Sequence, residues 1–193
     1  MNATLPRCCV ITPEPASASA ADCAAFLDRL SAVLARETLV QLRVKSLDAA
    51  AFARLAAAAL AHCDAAGAHL MLNGPIDAAG VMRLDGAGWH LDGRALRAAA
   101  QRPLPAGRWV SAACHTRDDL LLAARAGADF VTLSPVLPTL SHPGAPTLGW
   151  TQFGTLAAEA AMPVFALGGM KRSHLDEARR HGAHGIAGIR GFW

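Results

Sequence analysis

Three groups of residues have the types and spacing for chemistry on an anionic small molecule. The first is Val40-Gln41-Leu42-Arg43-Val44-Lys45. In an extended segment alternate side chains share a face, so Gln41, Arg43 and Lys45 stand together opposite Val40, Leu42 and Val44. Burying two cations without partners is costly. They need either an internal ion-pair layer, with Asp92 as one acidic partner, or an anionic ligand. The second group is glycine-rich: Gly168-Gly169, and Gly188-Ile189-Arg190-Gly191. Glycines let backbone N–H groups approach phosphate oxygens, and the same residues also serve tight strand-to-helix turns. The third group is the histidines. His142, in Ser141-His142-Pro143-Gly144, is either a proton carrier near neutral pH or an exposed turn residue. His115 either acts in a site or orients its loop and the following helix, whose first turn carries Asp118 and Asp119. His174, His181 and His184 lack the i,i+4 spacing of a metal pair, and Cys114 reads as a small core residue.

The elements that must position these residues alternate along the whole chain. Apolar runs at Cys8 to Thr12, Thr38 to Lys45, His69 to Leu72, Gly88 to Leu91, Trp109 to Ala113, Ala128 to Val136, Pro163 to Leu167 and Ile186 to Ile189 predict eight strands. Helical stretches separate them: one from a cap at Ser19 or Asp22 to about Arg36, one from Ser46 or Asp48 to Gly67, and a short one near Ile76 to Leu84. Others run over Arg94 to Gln101, Arg117 to Ala126, Thr151 to Ala160 and Ser173 to His181. Eight such alternations predict an α/β chain folded as one (β/α)8 TIM barrel over residues 1–193, its last helix short or missing. An open doubly wound sheet is the alternative, but no G-x-G-x-x-G accompanies it. In a barrel the polar face of the second strand turns inward, and the loops after strands seven and eight form the usual phosphate cradle. The missing helix leaves a gap for a second subunit or a fused domain to cover.

With 53% hydrophobic and 17% charged residues in 193, the chain suits a large buried core rather than disorder. Its net charge of +3 comes without a Lys/Arg run, so a nucleic-acid partner is not expected. No signal-peptide segment or membrane-length apolar run is evident, and the five cysteines form no C-x-x-C. Reduced thiols and a cytoplasmic location are the expectation.

The stretch Gly127-Ala128-Asp129-Phe130, followed by Ser134-Pro135-Val136-Leu137-Pro138-Thr139-Leu140-Ser141-His142, resembles the thiamine-phosphate synthase/TenI family. That family has G-A-D-[YF] running into G-P-V-x-P-T-x-[TS]-K. The resemblance extends from the first strand to Gly191. It implies that Gln41, Arg43 and Lys45 contact a pyrimidine diphosphate. It also implies that Asn73, Thr139, Ser141, Gly168, Gly169, Ile189 and Arg190 line the substrate site, with Thr139, the glycines, Ile189 and Arg190 (in place of the family's serine) toward a thiazole phosphate. His115 matches the family's S-[TV]-H-[TS]. Departures gather on the diphosphate side. Gly74 and Ala95 stand where the family has its Mg2+ carboxylates, Ala113 replaces a serine, and His142 replaces a lysine. Asp92 lies three positions before Ala95 and is the remaining candidate metal ligand.

The resemblance implies a thiamine-biosynthesis barrel that binds a phosphorylated thiazole-type small molecule. It could act as a thiazole tautomerase, with His142 or His115 moving the proton; the histidine position familiar from the TenI branch matches Pro135 here. It could instead be a thiamine-phosphate synthase, needing Mg2+ to couple the pyrimidine diphosphate and release diphosphate. A non-catalytic sensing or docking module, like the similar domains fused to Nudix hydrolases, is the third reading.

Overall fold

In the computed structural model, which describes residues 4–139, 144 and 146–193, eight short strands alternate with helices. The strands are β1 (Cys8–Ile11), β2 (Leu39–Arg43), β3 (His69–Asn73), β4 (Gly88–Leu91), β5 (Val110–Cys114), β6 (Phe130–Leu133), β7 (Val164–Leu167) and β8 (Gly185–Gly188). The helices between them are α1 (Ala20–Val33), α2 (Ala49–Ala66), α3 (Ala78–Met82), α4 (Gly93–Ala98), α5 (Arg117–Arg125), α6 (Gly149–Glu159) and α7 (Leu175–Arg180). All neighbouring strands pair in parallel, and β8 pairs with β1 through Cys9↔Ala187, closing the expected barrel. No helix among the described residues is long and apolar enough to cross a membrane.

Local chemistry sets most helix starts. Ser19, Asp48, Asp77, Asp92 and Thr116 each accept a hydrogen bond from a backbone N–H in the first turn of the helix that follows. Thus Ser19 rather than Asp22 caps α1, and Asp48 rather than Ser46 caps α2. Helix α2 ends on Gly67 at φ 66°, the left-handed conformation glycine adopts without strain. The expected helix over Ser173 to His181 is split, a single 3-10 turn at Arg172–His174 preceding α7.

The alternation in β2 sorts as anticipated. Val40, Leu42 and Val44 belong to the apolar layer between sheet and helices, with Phe52, Leu70, Leu72 and Val131. Leu39 belongs to a separate plug inside the barrel, formed with Cys9, Ile11, Met71, Phe130, Phe165 and Ala187. Beyond this plug, toward the C-terminal strand ends, the interior holds the polar Gln41, Asn73, His90, Ser111 and Thr132, with Leu167 and Ile189 continuing the apolar packing on the β7–β8 side.

No helix follows β8 among the described residues. The chain instead turns at Ile189, whose carbonyl accepts the N–H groups of Phe192 and Trp193. Phe192 is buried and lies against Gly188, while Trp193 stacks near Phe26 of α1 at 5.2 Å between ring centroids. Part of the gap expected there is therefore filled from within the chain.

A mostly buried cation supports the opposite side. The Arg108 guanidinium, with its side chain 11% exposed, donates to the carbonyls of Val81 (2.9 Å), Leu84 (2.7 Å) and Ala87 (2.7 Å). It ties the last turn of α3, a helix too short to be stable alone, to the segment that leads into β4. Arg108→Ala is expected to cost about 2 kcal/mol, read as a melting temperature lower by about 4–8 °C. Arg108→Lys should recover little of it, because one ammonium does not span three carbonyls as the fork does.

Candidate functional site

The polar interior begins directly above the plug. Gln41 and Asn73 are 4% and 6% exposed, and Asn73 Nδ2 donates to Gln41 Oε1 at 2.9 Å. Asn73 Oδ1 is buried and has no hydrogen-bond partner among the described residues. Next to them His90 Nδ1 lies 2.8 Å from Ser111 Oγ, both side chains buried. Burial, reinforced by the nearby Lys45 and Arg43 charges against the opposing pull of Asp92, pushes the His90 imidazole down to about 3. It is therefore neutral at physiological pH.

One level further out the site becomes charged. Glu14, in the loop after β1, accepts from Lys45 N (2.9 Å), Ser46 N (3.3 Å) and Ser46 Oγ (2.8 Å), and lies 3.8 Å from Arg43 Nη1. Thr12 Oγ1 accepts the Arg43 N–H at 3.1 Å. Lys45 Nζ donates to Asp92 Oδ2 at 2.8 Å, the ion pair the sequence allowed. Asp92 Oδ1 meanwhile accepts from Ala95 N (2.9 Å) and Arg94 N (3.2 Å), starting α4. Partial desolvation pushes the Asp92 carboxyl up; the Ala95 N–H, Lys45 and the Arg94 N–H outweigh it and bring it to about 2. Gln41, Arg43, Lys45, Asn73 and Asp92 are thus joined in one wall of the barrel mouth. Glu14, Thr12 and His90 belong to it without having been singled out as site residues. The signal for Glu14 was its place just past the C-terminal end of a barrel strand.

The opposite wall is built from backbone. His115 Nδ1 lies 2.8 Å from the Ser134 carbonyl, so that nitrogen carries the hydrogen and Nε2 of the neutral ring is the acceptor. Its backbone N–H goes to Asp119 Oδ2, within the capping box that Thr116 and Asp119 form on α5. Gly168 (φ 97°) and Gly169 (φ 68°) press against the loop after β6. The Gly168 carbonyl accepts the Leu137 N–H, and the Leu167 carbonyl accepts that of Val136. A Cβ on Gly168 would lie 2.8 Å from both Cα and Cβ of Pro135, and one on Gly169 would lie 2.7 Å from the Pro138 carbonyl. Loop-to-loop packing therefore accounts for both glycines independently of any phosphate. Ile189 adjoins the inner plug, Arg190 is exposed and Thr139 is partly buried. Ser141 and His142 lie outside the described residues. Cys114 is fully buried, and burial pushes its thiol up to about 12, with Asp119 adding to the shift. It is a core residue and no thiolate.

A two-carboxylate magnesium site does not fit these residues. Gly74 supplies no ligand and the space beside it holds the Phe52 ring; Ala95 packs on the helix–sheet core; Asp92 is committed to Lys45 and α4. Among the described residues no cluster of three His, Cys, Asp or Glu side chains is placed to hold a metal ion. His181 instead pairs with Glu177, His184 with the Leu5 and Pro6 carbonyls, and His174 accepts the Lys171 N–H.

The thiamine monophosphate synthase family model matches residues 8–192. A putative thiamine-phosphate synthase of Geobacter sulfurreducens is 40% identical over 77% of this chain and 70% of its own length. The thiamine-phosphate synthase of Chlorobium luteolum is 33% identical over 95% of this chain and 84% of its own. Among solved structures, a thiamine phosphate pyrophosphorylase from Pyrococcus furiosus superposes with a TM-score of 0.72 at 18% identity, covering 95% of this chain and 85% of that one. This last likeness bears on the fold alone.

Proposed function

The chain belongs to the thiamine monophosphate synthase family, and on that premise we propose that its barrel mouth joins a pyrimidine diphosphate to a thiazole phosphate with release of diphosphate. The names its relatives carry favour this coupling over the tautomerase and the non-catalytic readings. The observation that carries it is the Asn73 carbonyl oxygen, buried and without a partner among the described residues, in the same wall as Gln41, Arg43 and Lys45. A buried acceptor without a donor is costly, and an amino group on an aromatic ring would satisfy it. A pyrimidine seated there would send its diphosphate outward to the cations. The thiazole nitrogen lone pair forms the new C–N bond as the carbon–oxygen bond to diphosphate breaks. Arg43 and Lys45, held in place by Glu14 and Asp92, lie where the departing negative charge grows. Neutral His90 adds no charge of its own.

The test is to incubate the purified chain with both substrates and follow product by mass spectrometry together with diphosphate release. Coupled product appearing in proportion to enzyme is the expected outcome. Binding of the thiazole phosphate without any coupled product would remove the reading. Proton transfer within a thiazole phosphate is then the second reading, and His115 favours it, since its Nδ1 contact leaves Nε2 as a proton acceptor. Solvent hydrogen exchange into the thiazole, lost in His115→Asn or in His142→Ala, would identify that activity and its residue.

A further inference from the structure

The two positions that would carry magnesium carboxylates hold Gly74 and Ala95, and other groups stand in the space. A Cβ on Gly74 would lie 2.5 Å from Cζ and 2.6 Å from Cδ2 of Phe52. Phe52 is fully buried near the start of α2, surrounded by the helix–sheet core, so its ring does not swing aside. Gly74 has no left-handed φ that would call for glycine; the Phe52 ring is what excludes a side chain there. The remaining carboxylate, Asp92, spends Oδ1 on two backbone N–H groups and Oδ2 on the Lys45 ammonium. A divalent cation approaching Oδ2 would meet a like charge at contact distance.

We infer that, with the Phe52 ring barring a carboxylate at position 74 and the Lys45 ammonium holding the free oxygen of Asp92, a diphosphate-type anion is taken in this mouth without a metal ion. The inference rests on the reading of the mouth as a diphosphate site. It also reverses the role of Asp92. As a metal ligand its charge would help the anion bind. As the partner of Lys45 it draws that charge away from the anion, and it competes.

Substitution of Asp92 separates the two roles by sign. Asparagine caps helices as well as aspartate, so Asp92→Asn keeps α4 in place while removing the charge. The experiment is isothermal titration of inorganic diphosphate into the wild-type chain, Asp92→Asn and Lys45→Met, in EDTA and again in magnesium, with melting curves to show that each variant is folded. In EDTA the wild-type chain is expected to bind diphosphate, Asp92→Asn to bind it about three- to tenfold more tightly, and Lys45→Met at least about tenfold more weakly. Binding by the wild-type chain only in magnesium would overturn the inference and leave the coupling reaction standing. So would weaker binding by Asp92→Asn, or unchanged binding by Lys45→Met. Absence of diphosphate binding under every condition would overturn the inference and the coupling reaction together.

Discussion

Gly168→Ala lowers the melting temperature by about 8–16 °C and weakens the proposed binding of thiazole phosphate in the surviving folded protein. Two costs combine. At φ 97° an L-residue lies outside the conformations its Cβ permits, a penalty of about 1–2 kcal/mol. The added methyl also lands 2.8 Å from Cα and Cβ of Pro135 and 3.1 Å from the Val136 nitrogen. These are backbone and ring atoms that cannot rotate away, and such overpacking costs about 1–3 kcal/mol. Together they amount to about 4 kcal/mol, which gives the stated shift for a chain of this length. The displaced segment runs from Pro135 toward Thr139, so binding suffers in the molecules that remain folded. Gly86→Ala is the control. Gly86 has φ 89° but open space where its Cβ would stand, so only the conformational cost of about 1 kcal/mol applies. Equal shifts for the two variants, measured by differential scanning calorimetry, would show that the contact with Pro135 contributes nothing.

That glycine also marks how far the sequence could be read. The barrel was legible because period-2 alternation, apolar runs and capping residues agreed from end to end, and β2 in particular displayed its inward and outward faces openly. Element ends were less so. The apolar run Ala128 to Val136 yields only Phe130–Leu133 as strand, because Asp129 is drawn to the Arg102 guanidinium and the Val110 N–H. In the site, alternation was enough to bring Gln41, Arg43 and Lys45 together, and the Lys45–Asp92 pair was among the options it left open. Phe52 was not legible. Its contact with Gly74 joins α2 to the end of β3, and nothing in either stretch announces it. Glu14 is a lone acid in a proline-rich loop until the register Ile11↔Gln41 brings it beside Lys45. Gly168 and Gly169 show a different limit. Glycine serves a phosphate cradle and a close loop contact equally well, so the residue type alone could not separate them.

The polar layer beneath the cations makes the protein acid-sensitive well above the usual carboxylate range. His90 is 4% exposed, and burial, with Lys45 and Arg43 adding to it and Asp92 opposing, holds its imidazole down to about 3. In the unfolded chain the same group titrates near its ordinary value of 6.5. Between those two values the unfolded state takes up a proton that the folded state refuses, so stability falls as pH falls through this window. The slope approaches about 1.4 kcal/mol per pH unit, and over the full window the loss is on the order of 5 kcal/mol. Asp92, held down to about 2, adds to the loss only further into acid, below its ordinary carboxylate value, because its folded form stays ionised where the unfolded form protonates. Urea titrations at intervals from pH 7 to pH 4, before Asp92 contributes, therefore isolate the histidine. His90→Gln keeps a polar partner for Ser111 Oγ and has nothing to titrate, so its stability should be flat over the same range. A parallel decline in wild type and His90→Gln would place the acid-sensitive proton elsewhere. If His90 is the group, saturating diphosphate should flatten the wild-type profile as well, because an anion beside Lys45 and Arg43 offsets two of the charges that keep the imidazole neutral.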